Sequence, residues 1–111
     1  MAYLREDKEN LEVSYPLNMI WEAIPKAIRQ LSWKIEETDE AMHHFKIKTA
    51  GGFVAYPSKI KIVLYLIDEK TTRMSIIAET PVTTITSVFD YGRTKERVDQ
   101  FIATLNKLLS S

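Results

Sequence analysis

Between Leu17 and Leu31 the chain reads LNMIWEAIPKAIRQL, and its apolar residues Leu17, Ile20, Trp21, Ile24, Ala27, Ile28 and Leu31 recur at helical spacing. They form one wide stripe, with Asn18, Glu22, Lys26, Arg29 and Gln30 on the opposite face. A stripe of this width has to be covered by another layer of structure. Pro25 falls inside it, where it has no N–H to offer the carbonyl of Trp21. The stripe keeps its phase on both sides of the proline, so the segment reads as one kinked helix.

The covering layer is supplied by segments in which the period changes to two. Leu11, Val13 and Tyr15 alternate with Glu12 and Ser14, a short half-buried strand that Pro16 ends. Ser14 and Asn18 are the candidate caps of the following helix. Trp33, Ile35 and Glu37 alternate after the helix, Thr38-Asp39-Glu40-Ala41 reads as a hairpin turn, and His43 to Thr49 returns with Phe45 and Ile47 on one face. Ala50 to Ser58 reads as a loop, pliant at Gly51-Gly52 and unusually apolar at Phe53, Tyr56 and Pro57. Lys59 to Asp68 is the strongest strand, with Ile60, Ile62, Leu64 and Leu66 predicted inward and Lys59, Lys61, Val63, Tyr65 and Ile67 outward. Glu69-Lys70-Thr71 turns the chain, Arg73 to Thr80 returns, and Pro81 marks a bend or bulge. Val82 to Phe89 continues that strand or forms a sixth. From Arg93 to Leu109 the helical period resumes, with Val98, Phe101, Ile102, Leu105, Leu108 and Leu109 as its stripe and Asp90 as a candidate cap.

The predicted order is therefore β-α-β-β-β-β(-β)-α. It describes an α+β domain in which a bent antiparallel sheet of five or six strands carries two helices on one face. Residues 1–10 are charged and aperiodic and read as a flexible lead-in, and 11–111 as the single domain. The chain of 111 residues is long enough for one domain of ordinary size.

Composition removes several functions. Fifteen basic residues balance fifteen acidic ones, so neither nucleic acid nor an anionic membrane is the expected partner. Without cysteine there is no disulfide, thiol catalysis or thiolate metal site. MAYLREDKEN lacks the apolar core of a secretory signal, and the longest strongly apolar run, Ile62 to Ile67, is far too short to span a bilayer. The expectation is a cytoplasmic protein without a cofactor.

The early helix and its exit, IWEAIPKAIRQLSW, the strand meander after it, and the C-terminal helix from Arg93 to Leu109 together resemble a small helix-grip domain. In topology the chain is similar to the START and polyketide-cyclase-like superfamily, although it has one N-terminal helix where a pair is usual, and fewer strands. The resemblance implies that any ligand sits between the C-terminal helix and the sheet.

No side-chain grouping names a reaction. His43 and His44 are neighbours on a strand and point to opposite faces, so they do not chelate one ion together, and no metal is expected. Gly51-Gly52 lacks the rest of a phosphate-binding loop. The chain reads as a non-catalytic binding module for a small apolar or amphipathic ligand, with Trp21, Phe53, Tyr56, Tyr91 and Phe101 as pocket candidates and Arg93 as an anchor for a carboxylate. Against this, Trp21 and Phe101 lie in helical stripes, where aromatics ordinarily fill the core. On the outer sheet face, Val63, Tyr65, Ile67 and Ile77 make an apolar cluster that no helix covers, which points to a homodimer or a partner protein. His44, Lys46 and Lys48 share that face with Lys59 and Lys61; Glu79 is expected opposite Lys61, and Glu36 opposite His44, so the charge is partly paired.

Overall fold

The computed structural model describes residues 3–49, 59–82 and 93–110. Its elements are strand β1 (Tyr3–Val13), helix α1 (Leu17–Gln30), strands β2 (Lys34–Asp39), β3 (His44–Lys48), β4 (Lys59–Asp68) and β5 (Thr71–Val82), and helix α2 (Arg93–Leu109). The five strands form one antiparallel sheet in the order β1-β5-β4-β3-β2, which places β4 at its centre. The α+β class, the element order and the antiparallel pairing agree with the sequence pattern.

The core follows from the pleat. Ile60, Ile62 and Leu64 of β4 stand in register with Ala78, Ile76 and Met74 of β5, and Phe45 and Ile47 of β3 extend the rows. All eight side chains are buried. Ile20, Ala23, Ile24, Ala27 and Ile28 of α1 and Val98, Phe101 and Leu105 of α2 belong to the same cluster, so both helices cover one face of the sheet. Helix α1 lies toward β2 and β4, α2 toward β5 and β1, and the two helices touch each other. Leu66 departs from the pattern. Its parity is inward, but it is 68% exposed, and Tyr65 and Ile67 beside it are 52% and 43% exposed. The end of the β4–β5 hairpin therefore runs beyond the cover of the helices. Its turn is fastened by Asp68, whose Oδ1 accepts a hydrogen bond from the Lys70 N–H at 2.8 Å.

Four local expectations need correction. The segment read as a loose lead-in is strand from Tyr3 onward, paired with β5 from Tyr3↔Val82 to Val13↔Thr72. Its charges conceal the strand because β1 is an edge strand, held by backbone pairing and tolerant of polar residues on both faces. Pro81 does not interrupt β5, which continues to Val82. The ladder to β4 ends at Lys59↔Glu79, so among the described residues Pro81 has only β1 beside it and its missing N–H is tolerated. Neither Ser14 nor Asn18 caps α1: Pro16 is the N-cap, and its carbonyl accepts from the N–H groups of Met19 and Ile20. In β2 the alternation slips between Ile35 and Glu37, so that Asp39 rather than Glu36 stands opposite His44, and Glu37 stands opposite Lys46. The expected sixth strand over 83–89 lies outside the described residues.

Helix α1 runs without interruption through Pro25 and ends in a Schellman motif. The Trp33 N–H donates to the Ile28 carbonyl and the Ser32 N–H to the Arg29 carbonyl, each at 3.1 Å. Ser32 holds the left-handed position at φ 60°, where a Cβ is unfavourable. Ser32→Gly is expected to raise stability by about 0.5–1 kcal/mol, because relief of that strain outweighs glycine's greater freedom in the unfolded chain. Ser32→Val is expected to lower it. Urea unfolding of the three proteins checks both.

Candidate functional site

Among the described residues a groove of about 510 Å³ opens between α2 and the sheet. Its sheet side is Leu11, Val13 and Tyr15 at the end of β1, with Met74 of β5 at its base; its helix side is Ile102, Ala103, Leu105, Asn106 and Leu109. The groove exists because β1 is the sheet edge and α2 packs over β5 and β1 with only part of its stripe. Val98, Phe101 and Leu105 are fully buried, whereas Ile102 and Leu109 on the flank of the stripe are only half-buried. Ala103, exposed and short, leaves the space between them open.

Two polar devices set the walls. Thr72, completely buried at the start of β5, donates its hydroxyl to the Tyr15 carbonyl at 2.9 Å and so holds the segment between β1 and α1. Lys95 in the first turn of α2 reaches both Glu9 of β1, at 3.6 Å, and Asp99 one turn along, at 3.8 Å. Both of those contacts are exposed, so they orient the helix more than they stabilise it. Glu12 also borders the groove, but its carboxylate has the outward parity of its cross-strand neighbour Arg73, with which it pairs at 3.1 Å on the other face of the sheet. Asp99 is the other charged residue among the described lining.

Of the residues singled out from the sequence, Trp21 and Phe101 are the ones whose surroundings are described. Trp21 is half-buried, stacks on Phe45 with ring centroids 4.3 Å apart, and meets the edge of His43 at 5.5 Å. Phe101 is fully buried in the core. Neither lines the groove. Phe53, Tyr56 and Tyr91 lie outside the described residues, and Arg93 is placed as the first residue of α2. The groove residues themselves were legible only as ordinary stripe and strand positions; the one distinguishing signal is a stripe six residues wide on a helix that packs at a sheet edge.

On the opposite face, Val63, Tyr65 and Ile77 have outward parity, with Val63 and Ile77 half-buried, while Ile67 falls in the register shift between Leu66 and Asp68. The lysines of β3 and β4 share it too, but the register differs from expectation. Lys61 stands opposite Ile77, Glu79 stands opposite Lys59, and His44 stands opposite Asp39. The two histidines have separate surroundings: His43, at φ 51°, abuts Trp21, while His44 lies on the outer face with its Nε2 buried and without a hydrogen-bond partner among the described residues.

Neither a family model nor a curated protein sequence matches the chain. Solved structures do. Norcoclaurine synthase from Thalictrum flavum, in complex with dopamine and hydroxybenzaldehyde, superposes with a TM-score of 0.71 at 11% identity, over 97% of this chain and 87% of that one. The Zhui aromatase/cyclase from Streptomyces sp. R1128 gives 0.69 at 11% identity, over 97% and 93%. Ara h 8.0201 gives 0.67 at 12% identity, over 98% and 100%. Such identities speak to the fold alone.

Thr72→Val keeps the shape of that side chain but removes the donor to Tyr15. It is expected to cost about 1–2 kcal/mol in denaturant unfolding and to speed hydrogen exchange around Tyr15. With the groove lying between the C-terminal helix and the edge of a five-stranded antiparallel sheet, the chain has the helix-grip fold of the START and polyketide-cyclase-like proteins.

Proposed function

We propose that this protein is a non-catalytic binding module, acting in the cytoplasm, that takes a small apolar or amphipathic molecule in the groove between α2 and β1. The groove itself carries the reading. Its volume of about 510 Å³ falls in the range of roughly 300–1,000 Å³ usual for small-molecule sites, and its lining is mostly aliphatic with a few polar groups at the rim. The neighbour that holds dopamine and hydroxybenzaldehyde gives this fold a precedent for small aromatic guests. With Asp99 on the helix wall, a neutral or cationic polar end suits the mouth beside it. The aliphatic walls supply burial, and the rim supplies orientation.

A second reading rests on a different observation. Tyr65, Leu66 and Ile67 are large, adjacent and exposed, and a second copy packed on the outer sheet face would cover Tyr65 and Ile67. Light scattering across a concentration series is expected to show a dimer that Tyr65→Lys dissociates; a monomer at every concentration removes that reading.

For the groove, native mass spectrometry of the purified protein is expected to show a retained small molecule that is lost under denaturing conditions. Ala103→Phe would fill the space from an exposed helix position. It is expected to abolish the retained mass while leaving the unfolding midpoint nearly unchanged. Equal retention by the variant would place the ligand elsewhere.

A further inference from the structure

The outer face of the sheet carries an arrangement that folding alone does not favour. Lys46 of β3 stands directly opposite Lys61 of β4, and Lys48 directly opposite Lys59. Side chains so placed have Cβ atoms about 5 Å apart across the strands, and neighbours along a strand on the same face are about 7 Å apart, so four lysines rise from the corners of one small square. Like charges directly opposite each other destabilise a sheet. Lys34 continues the row beyond Lys48, and Lys8 lies on the far side of Ile77 from Lys61. Among the described residues Lys46 pairs with Glu37 at 3.1 Å, but Lys48, Lys59 and Lys61 have no ion-pair partner within 4.0 Å.

Two ordinary explanations fail. Lysines that guard a sheet against edge-to-edge pairing belong on edge strands, and here the edges are β1 and β2, whereas β4 is central and β3 lies inside. A generally basic protein would carry such clusters by chance, but this chain has no net charge. The positive charge has been gathered in one place at a cost in stability. Such local conflicts are expected where a function requires them.

The surface is also shaped. Lys8, Lys46, Lys59 and Lys61 line a depression of about 400 Å³ on this face, at the centre of which Ile77 is short between the long arms of Lys8 and Lys61. Glu36 and Glu79 stand at its sides. A long polyanion crossing the sheet would meet those carboxylates, so the positive field suits a compact occupant. We propose that this depression is a binding site for a compact, multiply charged anion of the phosphate-bearing class, held by Lys46, Lys59 and Lys61 of its lining, with Lys48 beside Lys59 at its edge. Lysine ammonium groups bind phosphate oxygens as point charges with several donors each, and the square array lets neighbouring groups share one di- or triphosphate. The site lies on the face opposite the α2–β1 groove and does not depend on the reading of that groove.

The test is isothermal titration calorimetry of the full chain with inorganic pyrophosphate and tripolyphosphate. Saturable binding is expected, tighter for the more highly charged anion and weakened by sodium chloride. Lys48→Gln/Lys59→Gln is expected to lower pyrophosphate affinity by about tenfold or more, while its thermal midpoint without ligand stays the same or rises because repulsion is relieved. Lys48→Arg/Lys59→Arg should retain binding, and Ala103→Phe should leave it untouched. The proposal is overturned if millimolar pyrophosphate gives no saturable heat, or if the glutamine variant binds as tightly as the parent. It is equally overturned if single-stranded oligothymidine or phosphatidylserine vesicles bind more tightly than tripolyphosphate, since the face would then be a polymer or membrane surface.

Discussion

Everything in this structure depends on the inward row of β4. Ile60, Ile62 and Leu64 are the side chains on which α1, β3 and β5 converge, and each is almost completely removed from water. Burying a residue of this size contributes about 1.5–3 kcal/mol, so the central strand accounts for a large part of what a small domain has available. That row also fixes the register of its neighbours. A slip of one residue would turn Ile60, Ile62 and Leu64 outward and bring Lys59, Lys61 and Val63 into the core, so the register tolerates no such slip. The positions of the groove on one side and of the lysines on the other are both consequences of that register.

Helix α1 occupies the sheet's β2–β4 side completely, whereas α2 sits over β5 and β1 with one flank of its stripe left half-buried. The difference traces to what lies beneath each helix. Under α1, Phe45 and Ile47 are large and pack directly, and Trp21 closes the remaining space by stacking on Phe45. Beneath α2, the floor includes Ala78 and Met74, and the wall is an edge strand whose apolar residues, Leu11 and Val13, come only at its end. A core that is filled on one side and open on the other is what allows a domain of this size to hold a cavity. Closing the open side with larger side chains would stabilise the fold and remove the site, a conflict familiar in functional proteins.

Legibility in the sequence followed the strength of burial. Helix α1, β4, both hairpins and α2 announce themselves because one of their faces is dry, and a dry face imposes a period. The N-terminal half of β1 does not, since Arg5, Glu6, Asp7, Lys8 and Glu9 show no alternation and the strand is specified by backbone pairing to β5. The groove was hidden for a related reason. Ile102, Leu109, Leu11 and Val13 have the same chemistry whether they touch each other or face a gap, and only the distance between α2 and β1 distinguishes the two. Trp21 and Phe101 attracted a functional reading through their size, and size is what the core uses. The outward lysines were visible in alternation, but whether they opposed lysines or glutamates turned on register, and the bulge at Glu36 and the pairing Lys59↔Glu79 could not be derived from composition.

The same period-two rule that builds the core thus creates a second surface at no further cost in chain length. Along β4 the inward residues Ile60, Ile62 and Leu64 are answered by the outward residues Lys59, Lys61, Val63 and Tyr65, and the strand is central to both faces. The inward row must be uniform, because any polar member would be buried without a partner. The outward row is free of that constraint, so it could have been a simple alternation of opposite charges paired across the strands. It is instead sorted, with lysines toward one end and apolar side chains toward the other. A solvated face needs only to be polar, and a mixed arrangement of charges would serve it better than a sorted one. That sorting is the observation on which the proposed anion site of this face rests, as the half-filled core is the one behind the proposed groove beneath the helices.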